Sequence, residues 1–288
     1  MTTTISVINQ KGGVGKTTTV INLAASLSIL GQSNLVIDLD PQGNATTGFG
    51  KSNSDEDKNI YNLLIKKIGL AQAIQKTNIQ NLDIVGSHVN LSGLEVETAN
   101  DSKRAFVLKE ILTSEKLGLL KRYDNIFIDC PPSLSLLTIM SLVASDELLV
   151  PLQTEFFALE GITQLVKTID RIKENLNPTL SIRGILLTMF DKRNKLSSEV
   201  DKEARNYFKD KVYKTVIQRN VRLSEAPSHG LPCVIYDKSC VGSKSYFKLA
   251  EEFKNKIVSA ASVSYTHLRA HETPEHLVCR LLLEKKKD

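Results

Sequence analysis

The fold of this chain is decided by residues 9–18, which read Asn-Gln-Lys-Gly-Gly-Val-Gly-Lys-Thr-Thr. An apolar run precedes them, and apolar residues at helical spacing follow from Val20 to Leu27. A glycine-rich loop between a strand and a helix is typical of a phosphate-binding loop, in which backbone N–H groups and the helix N-terminus bind an anion. In such a loop Lys16 reaches the β- and γ-phosphates of a nucleotide, and the Thr17 hydroxyl ligates Mg²⁺.

Two lysines lie in this loop, although the common pattern G-x-x-x-x-G-K-[S/T] requires only one. Where that pattern has its first glycine the chain has Gln10, and Lys11 follows it. A tight glycine-rich turn with exposed lysines is the alternative interpretation. We favour the phosphate-binding loop, because its Gly-Lys-Thr end lies between a predicted strand and a predicted helix.

Length and composition are ordinary for a soluble globular protein. The chain has 288 residues, 41% of them hydrophobic and 24% charged, which is enough for a full core in one large domain or two small ones. The net charge of +5 permits a polyanionic partner but is too small to indicate one by itself. We recognise no signal peptide and no membrane-spanning run, and the four cysteines are scattered. We therefore expect reduced thiols and a cytoplasmic location.

Strand-like and helix-like segments alternate along the whole chain. Strands are predicted at residues 5–8, 35–38, 82–85, 126–129, 147–152, 184–189 and 212–217, and helices at 20–27, 60–68, 70–74, 103–112, 134–143, 162–172, 199–208 and 246–257. This alternation predicts an α/β fold with a doubly wound, mostly parallel sheet flanked by helices. Such sheets bind ligands at the carboxyl ends of their strands. We expect the glycine-rich loop and the acids that follow strands to meet there.

Three acids follow predicted strands at this edge. Asp129 ends an apolar strand and suits an acid that holds Mg²⁺ through water, although an ordinary strand-end acid is the alternative. Asp38 and Asp40 flank Leu39. We expect one of the two to orient or activate the attacking water, unless both only cap a turn. Phosphoryl transfer depends mainly on positioning, Mg²⁺ and positive charge at the γ-phosphate, so few residues are needed.

Three motifs together resemble the ParA/MinD class of deviant Walker A ATPases, which are P-loop NTPases. They are Lys-Gly-Gly-Val-Gly-Lys-Thr-Thr at 11–18, Asp-Leu-Asp-Pro-Gln-Gly-Asn at 38–44 and Ile-Asp-Cys-Pro-Pro-Ser at 128–133. Residues 212–230 are more specific and resemble the Soj-type chromosome-partitioning branch. The resemblance covers residues 3–260, and it implies an ATPase that uses ATP and Mg²⁺ and turns over slowly until DNA or a partner stimulates it.

The resemblance also implies individual roles. Lys11 becomes the signature lysine, which crosses a dimer interface to the partner subunit's phosphates when two subunits sandwich ATP. A cation supplied in this way resembles an arginine finger, an effect worth roughly 10³–10⁵ in rate in GTPases. Asp40 is assigned to the hydrolytic water. The implied catalytic residues are Lys11, Lys16 and Asp40, and the implied metal-site residues are Thr17, Asp40 and Asp129.

ATP contacts are implied at two places in the chain. The adenine-contacting region is expected at Met189, Gln218 and Asn220, although the family often has proline where this chain has Gln218. The complete set of implied ATP contacts is Lys11, Gly12, Gly13, Val14, Gly15, Lys16, Thr17, Thr18, Met189, Gln218 and Asn220.

DNA binding is the remaining implication. Arg193, Arg219 and Arg222 are the candidate residues, with solvated surface charge as the alternative. Contacts to phosphates would be sequence-blind and sensitive to salt. The resemblance implies an ATP-dependent DNA-segregation ATPase whose homodimer binds duplex DNA non-specifically on the nucleoid and releases it on hydrolysis. The expected partner is a ParB-type centromere-binding protein. The chain begins almost directly at its first strand, so we expect no helix-turn-helix extension.

The sequence changes character from Ser262 onwards. We predict a P-loop ATPase domain at 1–261 and a tail at 262–288 that is disordered or non-native. A short membrane-surface helix is the alternative for the tail, because leucines adjoin lysines at 281–287. That alternative would make the chain a MinD-like ATPase positioned at the membrane. A nucleotide-dependent scaffold with negligible turnover is a third hypothesis.

Overall fold

Seven strands form a single sheet in the computed structural model, which describes residues 2–52, 54–115, 118–155 and 158–256. The strands are β1 (Thr3–Val7), β2 (Asn34–Asp38), β3 (Ile74–Lys76), β4 (Leu82–Val85), β5 (Asn125–Asp129), β6 (Glu147–Gln153) and β7 (Ser181–Thr188). Their order across the sheet is β3-β4-β2-β5-β1-β6-β7. All neighbouring pairs are parallel except the antiparallel pair β3–β4 at one edge.

Helices connect the strands and cover both faces of the sheet. Within the described ranges they are α1 (Lys16–Ile29), α2 (Asn44–Gly48), α3 (Ile60–Leu64), α4 (Leu70–Ala73), α5 (Leu94–Glu97), α6 (Val107–Glu115), α7 (Leu136–Ala144), α8 (Ala158–Asn175), α9 (Lys195–Phe208), α10 (Val221–Glu225), α11 (Cys233–Tyr236) and α12 (Val241–Asn255). Short 3₁₀ turns lie between several of them. The predicted doubly wound, mostly parallel α/β fold is confirmed.

The central strands are mostly apolar because both of their faces are buried, and most of their polar residues lie at the strand ends. Side chains alternate between the faces along each strand. Val36 and Phe127 belong to the core beneath α1 and α12, whereas Ile37 and Ile128 belong to the core on the opposite face, beneath α6 and α7. Phe127 also contacts Phe253 of α12, with ring centroids 5.8 Å apart. Helix α12 also packs on α1, where the hydroxyl groups of Tyr246 and Thr19 are 3.2 Å apart.

Residues 212–217 do not form the predicted strand. Contacts with β7 are isolated there: Val212 forms a single bridge with Ile185, and the N–H groups of Tyr213 and Ile217 donate to the oxygens of Ile185 and Leu187. The physical reason lies in α12, since the backbone N–H groups of Lys214 and Thr215 donate to the Glu252 carboxylate over 2.7 and 2.9 Å. These donors are therefore withdrawn from a ladder with β7.

Two predicted helix boundaries also differ. Helix α12 begins at Val241, before the predicted residue 246, because the Cys240 side chain caps it by accepting from the Ser243 N–H. The segment predicted as a helix at 70–74 is a single turn, α4, followed by the edge strand β3. The predicted tail at 262–288 lies outside the described residues, so the domain boundary stays a prediction.

Strand register brings the expected chemistry to one edge of the sheet. Asp129 pairs with Val7 of β1 on one side and with Asp38 of β2 on the other. Both acids are thus the last residues of their strands and lie at the level where β1 leads into residues 9–18. We call this set the phosphate edge: residues 10–18 with Asp38, Asp40 and Asp129.

Candidate functional site

The glycine-rich loop folds as an anion cradle. Gly13 and Gly15 have φ angles of 75° and 87°, a left-handed conformation that glycine adopts without the penalty of a Cβ. Gly15 is the N-cap of α1, yet no side chain caps this helix and no acid lies in its first turn. The first N–H groups of an α-helix lack partners within the helix and carry partial positive charge. They are therefore available to phosphate oxygens.

Lys16 lies inside the cradle. Its residue is only 6% exposed, and its Nζ donates to the backbone oxygen of Lys11 over 3.1 Å. Burial lowers the pKa of the Lys16 ammonium, and the carboxylates of Asp129 and Asp40 partly oppose that shift. A buried cation held by one carbonyl oxygen is a strong site for an incoming phosphate, because hydrogen bonds between ionised partners are the stronger kind.

Lys11 has a different environment. Its side chain is 53% exposed and forms an ion pair with Glu155, which follows β6. The loop motif does not predict this partner, because Glu155 is remote from the loop in the sequence. The two lysines of the loop therefore differ in exposure and in partner: Lys16 is buried against its own loop, and Lys11 is directed to an acid on a neighbouring segment.

Among the described acids near the loop, Asp129 has the fewest hydrogen-bond partners. It is fully buried, and neither carboxylate oxygen has a hydrogen-bond partner of good geometry. Burial raises the pKa of Asp129 well above its ordinary value, and the charge of Asp38 adds to the shift. The Thr17 hydroxyl and the Lys16 ammonium act in the opposite direction. Burying a carboxylate without a partner costs free energy, so a cation bound next to Asp129 would stabilise it.

The residues present fit Mg²⁺ in that place. A carboxylate and a hydroxyl offer the oxygen ligands that Mg²⁺ prefers, and this ion is commonly held by one or two carboxylates together with substrate phosphates. In the ranges that the structure describes, no group of three or more His, Cys, Asp or Glu could hold a metal ion alone. The predicted metal residues Thr17, Asp40 and Asp129 would thus act together with a nucleotide.

Asp38 and Asp40 are distinguished by their hydrogen bonds. Asp38 is fully buried and accepts from the N–H and the hydroxyl of Thr46 in α2, both over 2.7 Å. Burial raises the pKa of Asp38 to about 6, although the two bonds from Thr46 oppose this shift. Asp40 is 7% exposed and its carboxylate accepts from the Gln42 N–H over 3.0 Å. Asp38 therefore anchors α2, and this difference supports Asp40 as the residue that positions water.

The predicted adenine residues come together beside the loop. Thr188, at the end of β7, donates its hydroxyl to the Val14 oxygen over 2.9 Å and ties β7 to the cradle. Met189 follows with a φ of 51°. Phe190 then exchanges backbone hydrogen bonds with Ile217 and Arg219, over 3.0 and 3.1 Å. This pairing places Gln218 opposite Phe190, the residue that follows Met189.

Asn220 has a structural role as well. Its side-chain oxygen accepts from the Arg222 N–H over 2.9 Å and caps α10. The amide nitrogen of Asn220 is a separate donor and is not consumed by this cap. The adenine contacts of Met189, Gln218 and Asn220 stay predictions.

The three candidate DNA-binding arginines form what we call the arginine surface: Arg193, Arg219 and Arg222. All three are exposed. Arg193 pairs with Asp191, two residues earlier, through two hydrogen bonds of 3.1 and 3.0 Å. Hydrogen bonds from Arg193 lower the pKa of Asp191, and the charge of Arg219 adds to the effect, which places Arg219 near the same carboxylate.

Arg222 is the most neutralised member of the arginine surface. Its guanidinium is 2.7 Å from Glu225 and 3.6 Å from Asp237. The hydrogen bond to Glu225 raises the pKa of Arg222 above its ordinary value. Two carboxylates thus already share this charge, so Arg222 is a weaker candidate for DNA than Arg193 or Arg219.

Similarity to known proteins agrees with this geometry. Residues 2–182 match the family described as AAA domain. The chain is 47% identical over 248 residues to the chromosome partitioning protein ParA of Caulobacter vibrioides, an alignment that covers 86% of this chain and 92% of the relative. It is equally identical to the sporulation initiation inhibitor protein Soj of Bacillus subtilis, over 86% of this chain and 96% of that one. This chain is a member of the ParA/Soj family.

Fold similarity extends to other members of the ParA/MinD class. The septum site-determining protein MinD of Pyrococcus horikoshii, solved with Mg-ADP, superposes with a TM-score of 0.71 at 26% identity and covers 88% of this chain and 96% of its own. Membership of the ParA/Soj family and this fold confirm the resemblance read from the three motifs. Among the described residues, no helix has the length and apolar character that crossing a bilayer requires.

Proposed function

We propose that this chain is an ATP-dependent DNA-segregation ATPase. Two subunits sandwich ATP, the dimer binds duplex DNA non-specifically, and hydrolysis releases the DNA. The observation that carries this proposal is that the two loop lysines differ in burial and in hydrogen-bond partner. Lys16 is buried in its own cradle, whereas the Lys11 side chain is half exposed at the same loop and pairs with Glu155. The similarity to partitioning proteins over most of the chain supports the same reading.

The chemistry at the phosphate edge follows from positioning. The loop N–H groups and Lys16 hold the β- and γ-phosphates, and Thr17 and Asp129 hold Mg²⁺. The metal ion neutralises charge that develops on the phosphate oxygens. Asp40, close beneath the loop and not committed to α2, orients the attacking water. Asp38 keeps α2 in place through Thr46, which fixes the turn that carries Asp40.

Lys11 links hydrolysis to assembly. Within one subunit the Lys11 ammonium forms an ion pair with Glu155. The Lys11 side chain is 53% exposed and that of Glu155 is 30% exposed. Because the Lys11 side chain is about half exposed, water and salt weaken its pairing with Glu155, and Lys11 can exchange that carboxylate for the partner subunit's phosphate. A cation that becomes available at the phosphates only in a dimer makes turnover depend on dimerisation.

DNA binding is assigned to the arginine surface. Arg193 and Arg219 are exposed and share one carboxylate, that of Asp191, so this part of the surface keeps net positive charge. Contacts of this kind bind phosphates and carry no sequence information. The partner in a partitioning system would be a ParB-type centromere-binding protein that stimulates hydrolysis, and the dimer would be found on the nucleoid in the cytoplasm.

The decisive experiment measures binding to a random-sequence duplex with no nucleotide, ADP, ATP and a non-hydrolysable ATP analogue, while light scattering reports the oligomeric state. We expect a dimer and DNA binding with ATP or the analogue only. Binding that is independent of nucleotide, or a monomer throughout, would refute the proposal. ATP-dependent binding to anionic lipid vesicles without DNA binding would establish the MinD-like alternative instead.

A further inference from the structure

Two cysteines that the proposed function does not use face each other where α11 meets α12. Cys233 is the first residue of α11 and is 1% exposed. Cys240 directly precedes α12 and is partly exposed. Their sulfur atoms are 3.5 Å apart. Cys130, by contrast, is buried next to the Ser141 hydroxyl, 3.1 Å away, and Cys279 lies outside the described residues.

The two thiols have unlike surroundings. Cys240 is the N-cap of a helix of 15 residues, and its sulfur accepts from the Ser243 N–H over 3.4 Å. The partial exposure of Cys240 gives a dissolved oxidant access to its sulfur. Burial raises the pKa of the Cys233 thiol to about 12. Cys240 is therefore the thiol that reacts first, and Cys233 is the protected thiol beside it.

Local structure holds the pair in place before any reaction. The Ser243 hydroxyl lies 3.3 Å from the Cys240 sulfur and 3.4 Å from the Cys233 sulfur, between the two. The turn between the cysteines is fixed by Asp237, whose carboxylate accepts from the N–H groups of Ser239 and Cys240 over 3.0 and 3.1 Å. From 3.5 Å, the sulfurs need to approach by only roughly 1.5 Å to reach the length of a disulfide bond.

We propose that Cys233 and Cys240 are a modification site, a dithiol that peroxide converts into an intramolecular disulfide. The Cys240 thiolate attacks hydrogen peroxide, the O–O bond breaks, hydroxide leaves, and Cys240 becomes a sulfenic acid. The Cys233 sulfur then attacks the Cys240 sulfur, the S–O bond breaks, and the departing hydroxide takes the proton of Cys233 as water. Overall, the two thiols lose two electrons and two protons, and one peroxide becomes two waters.

The position of this disulfide gives it structural consequences. The N–H of Val234 donates to Asn22 of α1 over 3.3 Å, so α11 rests on the helix that follows the phosphate cradle. A Cβ atom added at Gly242 would lie 2.8 Å from Leu223 of α10. Asp237, inside the loop that the disulfide would close, also pairs with Arg222. The modification therefore lies where α1, α10 and α12 meet.

Trypsin offers a direct test because Lys238 lies between the two cysteines. Cleavage places Cys233 in peptide 223–238 and Cys240 in peptide 239–244, so a disulfide appears as a linked peptide pair. The full-length chain carrying Cys130→Ser and Cys279→Ser is reduced, freed of reductant, treated with graded hydrogen peroxide, alkylated and digested. Mass spectrometry then measures the linked pair and the remaining thiols.

We expect the linked pair to accumulate with loss of both thiols at low peroxide, and dithiothreitol to restore both. Cys240→Ser, at the more exposed position, should abolish the link and leave Cys233 reduced. Cys233→Ser should leave a sulfenic acid at Cys240 that dimedone traps. The proposal is overturned if Cys240 proceeds to sulfinic acid without a linked pair, or if Cys233 is oxidised as readily in the Cys240→Ser variant. Because the readout is covalent, it is independent of whether the chain binds DNA.

Discussion

At the phosphate edge Asp129 and Lys16 are buried with few or no partners, whereas the arginine surface is exposed and two of its three side chains pair with nearby carboxylates. Asp129 is fully buried with no hydrogen-bond partner of good geometry for either oxygen, and the Lys16 ammonium has one backbone oxygen. Arg193 and Arg222, in contrast, each bind carboxylates on their own turn of chain. The buried groups of the first region are poorly compensated within the protein, whereas Arg193 and Arg222 of the second are already paired.

This difference determines how strongly each region responds to change. Buried charges interact in a medium of low polarity, so the loss or gain of one partner has a large effect. Exposed ion pairs are weakened by water and salt and contribute little. We therefore expect substitutions at the phosphate edge to cause large losses of nucleotide affinity or turnover. Substitutions on the arginine surface should change DNA affinity by small amounts that depend on salt.

The largest effect is expected from Lys16→Ala. Removing the buried ammonium leaves both the phosphates and Asp129 without their cation, a loss of about 3–5 kcal/mol for a buried charged partner. Nucleotide affinity should fall by at least roughly 10²-fold, measured by titration calorimetry with ATP and Mg²⁺. Lys11→Ala is the matched control in the same loop. It should retain nucleotide binding by the monomer and lose turnover, and equal loss of nucleotide in both variants would contradict the distinction between the lysines.

Asp40→Ala should separate binding from hydrolysis. Removing the carboxylate that orients the water is expected to lower turnover by about 10²-fold or more, in the range of a positioned acid or base. ATP binding and dimerisation should persist, as measured by calorimetry and light scattering. The control is Asp38→Ala, which strips two hydrogen bonds from Thr46 and should mainly lower the melting temperature. Normal turnover in Asp40→Ala would show that the water-positioning role is wrong.

The phosphate edge could be predicted from sequence because most of the residues that form it are contiguous in the chain. Residues 9–18 contain the cradle in one contiguous stretch, and Asp129 ends a strand whose neighbours are set by the parallel sheet. The choice between Asp38 and Asp40 could not be made in the same way. It depends on Thr46 of α2 reaching back to Asp38, a contact that no spacing rule predicts.

Contacts between remote segments account for the rest. The partner of Lys11 is Glu155, and the failure of residues 212–217 to form a strand is caused by Glu252 of α12. Both depend on which side chains the finished fold places side by side. The arginine surface illustrates the same limit, since the sequence shows three arginines but not that Asp237 shares the charge of Arg222.

Arg219→Glu should weaken DNA binding by a moderate amount. We expect a loss of roughly tenfold, which corresponds to about 1.4 kcal/mol, and a salt dependence that is shallower by about one counterion. Nucleotide affinity should not change, because the Arg219 side chain is exposed and the substitution leaves Gln218, Asn220 and the backbone bond from Arg219 to Phe190 in place. Fluorescence anisotropy with a labelled duplex over a series of salt concentrations measures both quantities.

Arg222→Glu provides the comparison for that result. Because Arg222 is already shared by Glu225 and Asp237, its reversal should cost less DNA affinity than Arg219→Glu. An unchanged binding curve for Arg219→Glu at moderate salt would remove Arg219 from the DNA contact, and a larger loss for Arg222→Glu would show that local pairing does not decide which arginine is used.

The smallest effect, and the only gain, is expected from Asp191→Asn. The substitution removes the carboxylate that binds Arg193 and lies near Arg219, so both cations become more available to phosphate. Exposed ion pairs contribute little, so DNA affinity should rise by no more than about fivefold and the rise should disappear at high salt. Asp201→Asn, which releases Arg205 on α9 from a similar pair, is the matched control and should leave DNA binding unchanged. A fall in affinity for Asp191→Asn would mean that the carboxylate orients Arg193 for DNA, and the two regions of the molecule would then both depend on buried or ordered acids.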